Sequence, residues 1–254
     1  MISSVFHAVL LDPFYNALVL ILSYVPYADI GIAIILLTVA VRLLFLPVFS
    51  KTIKTQIVMK RLEPELAQIK ETYKKDPTEQ AKRVMALYKD NKVSPFASLF
   101  VALIQIPIFL ALYFVFLRGF PDINVELLYP FVQAPSEIPV HFFGLFDLTK
   151  SHNIILAALA GVSQYAQIAL SPLGAALPKA KNPSFKDDFA RSYRVQLKYG
   201  LPALIAVFGW GLPGAISLYW ITNNVVGIFQ ELFIRRRIER QFAPPTSLGK
   251  GDAV

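Results

Sequence analysis

The chain has 254 residues, of which 55% are hydrophobic and 17% charged, and carries a net charge of +8. A mean hydropathy of +0.51 and a charged fraction well under the roughly 25% of soluble domains argue against a soluble protein, and the positive charge then points to membrane orientation and anionic lipid rather than to nucleic acid. The absence of cysteine excludes a disulfide scaffold, a thiolate metal site and a cysteine nucleophile, and the three histidines, His7, His141 and His152, lack metal-ligand spacing.

Residues 1–12 contain no Lys or Arg. No positively charged leader region is visible there, so the whole chain is expected in the mature protein. Residues 13–27, PFYNALVLILSYVPY, are apolar with polar interruptions. They read as an amphipathic helix in the membrane interface, with a short first span as the alternative. Residues 29–49 read as the first full span, interrupted by Arg42. Residues 51–92 are polar, with apolar residues at helical spacing (Ile57, Leu62, Leu66, Ile69, Tyr73, then Val84, Leu87, Tyr88). Asp76-Pro77-Thr78 reads as a turn and a helix start, which makes this segment a helical hairpin.

Further spans are expected over 95–117, 153–171, 195–211 (short, and broken by Pro202) and 214–234, separated by an aromatic, acidic loop over 118–152 and a Pro-rich polar loop over 172–194. Residues 235–254 form a short basic tail, expected to be disordered. The fold class is therefore an all-α polytopic membrane protein: five spans in a core over 29–234, an N-terminal extracytosolic segment over 1–28 with its interfacial helix, and a cytosolic helical hairpin.

Charge gives the orientation. The hairpin 51–92 holds 11 Lys and Arg, residues 173–198 hold 6 and the tail 5, against only Arg118 and Lys150 on the other side. The positive-inside rule puts the hairpin and the C-terminus in the cytosol.

Arg42 is the sharpest feature. A cation near mid-membrane costs at least ~2.5 kcal/mol unless it finds water, a counter-charge or the interface. It either snorkels to the cytosolic headgroups or sits in a hydrated cavity between helices. No acid lies within the spans apart from Asp29 and Glu231 near their ends, so no buried ion pair is evident. Thr38, Gln105, Gln164, Gln167, Thr222, Asn223 and Asn224 could face such a cavity or simply hydrogen-bond between helices. An unpaired cationic cavity would attract acidic segments of a partner chain. On the hairpin, Lys60, Arg61, Lys74, Lys75, Lys82 and Arg83 are candidate partner contacts, beside the plainer reading of a solvated helical pair. Arg235, Arg236 and Arg237 are a topology anchor, with ribosomal or anionic-lipid contact as the alternative. No P-loop, nucleophile elbow, zinc-protease or dinucleotide motif is present, so no enzyme, metal or cofactor is expected.

These segments also carry a family resemblance. AIILLTVAVRLLFLPVFSKTIKTQ resembles the first core span of the YidC/Oxa/Alb membrane insertases, with its single arginine. EPELAQIKETYKKDPTEQAKRVMALYKDNKVSPF resembles their cytosolic hairpin, LIQIPIFLALYFVF their second span, and LPGAISLYWITNNVVGIFQELFIRR their last span. The resemblance runs in order over about residues 13–240 and is closest to short bacterial members without a large extracytosolic domain. It implies a multi-pass protein of the bacterial plasma membrane with a groove open to cytosol and lipid. Arg42, Gln167 (or Gln164) and Trp220 match groove-lining positions. It also implies nascent membrane proteins as clients, and the Sec translocon, ribosome, signal recognition components and anionic lipids as candidate partners, with no DNA. The alternative from another class is a small-solute or anion channel with a polar intramembrane cavity, although no internal repeat supports a transporter.

Overall fold

In the computed structural model the described residues are 5–94, 97–120, 122–171 and 191–241. The polar loop 172–190 and the tail beyond 241 lie outside them, with the expectations made for those residues.

A π-helical turn, His7–Leu11, leads into α1, Asp12–Tyr24. Pro13 sits in its first turn, where a missing N–H costs nothing. Helix α1 buries Tyr15, Asn16, Leu18 and Val19. Together with the π turn it is long and apolar enough to cross a membrane. Helix α2, Ile30–Leu44, starts at Asp29, whose Oδ1 accepts the Ile32 N–H at 2.8 Å.

The continuous span expected over 29–49 does not form. The helix breaks at Phe45, and α3, Leu46–Arg61, leaves at 66° to α2. Pro47 explains the break: inside a continuous helix its ring would clash with the carbonyl of Leu43, and it has no N–H to donate. At the second position of a new helix it is tolerated. The hairpin arm expected from residue 51 therefore starts at Leu46. Helices α4, Glu63–Thr72, and α5, Pro77–Asp90, meet at the expected turn. Asp76 caps α5 by accepting the Thr78 and Glu79 N–H groups at 3.1 and 3.0 Å.

Helix α6, Ala97–Gly119, is followed by a loop containing a two-stranded antiparallel pair, β1 His141–Phe142 and β2 Phe146–Asp147, absent from the all-α expectation. The pair caps one end of the bundle. Pro139 O accepts the Ile30 N–H at 3.0 Å, and the Asp29 Oδ2 accepts the Phe143 N–H at 2.9 Å. Lys150 O and Leu148 O accept the N–H groups of Gly214 and Ala215, each at 2.9 Å. One short loop thereby ties α2 to α9, the last helix, Gly214–Gln241.

Helix α7, Ile154–Leu170, is capped by Asn153, as its expected limits require. Pro202 does not break the next segment. Helical backbone from 191 passes through a π-helical turn, Gln196–Gly200, directly into α8, Leu201–Gly211, so the wider turn lets the helix continue past Pro202. Helix α9 extends beyond the expected 234, so residues 235–241 of the tail are helical rather than disordered. The core unites Tyr15, Leu18, Ile30, Ile34, Leu148 and Ile216 from α1, α2, the loop and α9. A second cluster, Ile57, Ile234 and Ile238, packs α3 on the far end of α9. There the hairpin also gains an ion pair, Glu63 to Arg194 at 2.9 Å.

Candidate functional site

Arg42 lies in the last turn of α2 and is 7% exposed. Its Nε donates to Asn223 Oδ1 at 2.8 Å, Nη2 to Asn223 O at 2.9 Å and Nη1 to Gln230 Oε1 at 3.2 Å. The guanidinium stacks 4.5 Å from the centroid of Phe49, the residue that the break at Phe45 swings beneath α2. All these partners are neutral. A buried charge is held by dipoles and a π face, and no carboxylate is among its partners in the described residues.

The same side chain lines a cavity of about 780 Å³ walled by α2, α3, α6, α7, α8 and α9. Gln105, Gln164, Gln167, Trp220, Asn223 and Asn224 all line it. Gln105 Nε2 donates to the Tyr219 hydroxyl, and Trp220 packs 5.0 Å from Phe109 between ring centroids. Asn224 Nδ2 donates to Ser163 Oγ at 3.0 Å, tying α9 to α7. Thr222 is a correction. It does not line the cavity, and its hydroxyl donates to Leu218 O of its own helix at 2.8 Å. Thr38 likewise donates to Ile34 O, at 2.6 Å, and borders a small gap behind Arg42.

The family model described as 60Kd inner membrane protein matches residues 21–241. This chain belongs to that family, the YidC/Oxa/Alb proteins. A relative from Francisella philomiragia, named membrane protein insertase YidC, is 34% identical over 210 residues, covering 82% of this chain and 33% of the relative. A relative of the same name from Francisella tularensis subsp. novicida has the same identity and coverage. The chain thus spans about a third of the length of the curated relatives it matches.

As a member of the 60Kd inner membrane protein family the chain is a membrane protein. Four residues that shape the cavity's polar side were not among the candidates read from the sequence. Gln56 on α3 and Glu231 on α9 line the cavity, and Gln230 binds Arg42. Gly227 is the fourth: a Cβ there would lie 2.5 Å from Gln167 Nε2 and 3.1 Å from Arg42 Nη2. A signal was present, since 220, 223, 224, 227 and 231 form one stripe at helical spacing.

The hairpin bases Lys60, Arg61, Lys74, Lys75, Lys82 and Arg83 are all exposed. Arg83 donates to Glu79 at 2.8 Å and lies 5.7 Å from the Tyr73 ring, so it also joins α5 to the end of α4. In the tail, Arg236 and Arg237 are exposed. Arg235 instead turns back, donating to Leu170 O at 2.6 Å and to Glu231 at 3.2 Å. Among the described residues no three His, Asp or Glu side chains gather to hold a metal.

Proposed function

We propose that the chain is a membrane protein insertase that moves the hydrophilic ends of nascent membrane proteins through the Arg42 cavity and releases their apolar segments into lipid. The observation that carries this reading is a buried guanidinium with only neutral partners, facing a cavity large enough for several side chains. Such a site offers attraction to an entering carboxylate without an internal acid to displace first. The relatives carry the same activity in their names, and the channel reading gains nothing from the comparisons.

In this reading there are five spans, with the hairpin, the loop 172–190 and the C-terminus in the cytosol and the N-terminus outside. The β1–β2 loop then closes the outer end of the bundle. Helical backbone runs without a break from 191 to 211, 21 residues and about 31 Å at 1.5 Å per residue. The hydrocarbon core is about 30 Å thick, so this helix is long enough to cross it. The exposed hairpin bases and Arg236 and Arg237 are offered to the ribosome, signal recognition components, the Sec translocon or anionic lipid.

The test is reconstitution of the purified protein alone in liposomes with a radiolabelled single-span client bearing a short acidic outer tail. A protease-protected fragment above that of empty liposomes is expected. Its absence, with the protein folded and a known insertase active in parallel, overturns the reading.

A further inference from the structure

Three charges follow one another along one face of the site. The Arg42 guanidinium sits against Gly227, with Nη2 3.1 Å from where a Cβ at 227 would be. Glu231 is one turn further along α9 and lines the same cavity. Arg235 is one turn beyond that, 3.2 Å from the Glu231 carboxylate, and its second bond goes to Leu170 O at the end of α7. Successive turns of a helix are about 5.4 Å apart, so the signs alternate plus, minus, plus from the cavity interior toward the basic end of the chain. Glu231 is 7% exposed, and the partner it has in the described residues is Arg235. Burying a carboxylate in a cavity built around a cation needs a reason, because it weakens the field that draws acids inward.

We infer that Glu231 is a specificity residue that receives a basic side chain of the client, so that the cavity reads charge order and not acidity alone. A client carboxylate pairs with Arg42, and a cation following it replaces Arg235 on Glu231. An extended chain advances about 3.3 Å per residue, so the spacing fits an acid and a base two residues apart, the acid leading. The reverse order sets a client cation against Arg42 and a client carboxylate against Glu231. This reading rests on the insertase function.

The experiment uses the full chain in liposomes and three single-span clients differing only in the outer tail: Asp-x-Lys, Lys-x-Asp and a neutral tail. Wild-type protein is expected to insert Asp-x-Lys about three- to tenfold better than Lys-x-Asp, the range of a partly screened ion pair. Glu231→Gln should shrink that ratio toward one when each charged client is scored relative to the same protein's own insertion of the neutral client, and Glu231→Asp should keep the preference. Equal insertion of the two charged clients by wild type overturns the inference, whatever the variants do, as does an unchanged ratio, scored in the same way, in the Glu231→Gln protein. Failure of wild type to insert even the neutral client overturns the insertase reading itself.

Discussion

Arg42 and Asn223 are joined twice: the arginine donates to both the side-chain amide oxygen and the backbone carbonyl of a residue 181 positions away. One asparagine therefore orients the guanidinium while leaving its charge uncancelled. Asn223→Asp keeps the shape and cancels the charge. Insertion of an acidic-tailed client should fall about tenfold, the equivalent of one modest ion pair, with a neutral-tailed client little affected. Equal loss for both clients, measured side by side in liposomes, would mean the substitution damages the fold instead.

Gly227 gives a second way to perturb the pair without touching charge. Gly227→Ala should raise intrinsic helix stability by up to ~1 kcal/mol, and the atom it meets first is the mobile end of Gln167. The melting temperature in detergent should stay level or rise while client insertion drops, because Gln167 must move and Arg42 is crowded. A large fall in melting temperature would show that the wall cannot yield.

The opposite balance holds at Gly31, where a Cβ would collide with the Phe142 ring of the β1–β2 loop. That ring is anchored by the backbone bonds tying the loop to α2, so it cannot swing away freely. Gly31→Ala should cost about 1–3 kcal/mol, the range for overpacking, and Phe142→Ala added to it should recover part of the loss. Thermal unfolding of the single and double variants checks this.

What could be read in the sequence, and what could not, follows from the range of the interactions. Helix limits set by local chemistry came through: the Asp76 cap, the Asn153 start and the turn before Gly214 are each decided within a few residues. Arg42 and the cavity amides were legible because polar groups in apolar runs stand out. The break at Phe45 was missed because apolarity continues across it, although Pro47 marked the place. Thr222 was misplaced because a hydroxyl that bonds its own helix looks the same in sequence as one facing a cavity. Gly227 was invisible for the converse reason: its contribution is space for two side chains from other helices, Arg42 and Gln167.

The β1–β2 loop also predicts a pH dependence. Burial pushes the Asp147 carboxyl up, but hydrogen bonds from Thr149 and the neighbouring Lys150 outweigh it and hold the pKa at about 2, below the ordinary 3.8. A carboxyl held below its unfolded value contributes stability that is present above about pH 4 and is lost as the pH falls through about 2. Asp147→Asn should therefore lower the melting temperature at pH 7, and the gap to wild type should close as the pH is lowered toward 2. A gap independent of pH would assign the effect to shape rather than charge.

The proposed orientation can be read directly because the chain has no cysteine. Lys75, in the exposed turn between α4 and α5, and Leu145, 76% exposed in the turn between β1 and β2, lie on opposite sides in the five-span arrangement. Lys75→Cys and Leu145→Cys each introduce one thiol at a surface position with little packing to lose. In intact cells whose inner membrane faces the reagent, a membrane-impermeant maleimide should label Cys at 145 and leave Cys at 75 untouched until the membrane is opened with detergent. The reverse pattern would invert the protein. Labelling of both would remove the odd number of spans between the two sites, and with it the assignment of the cavity mouth to the cytosol.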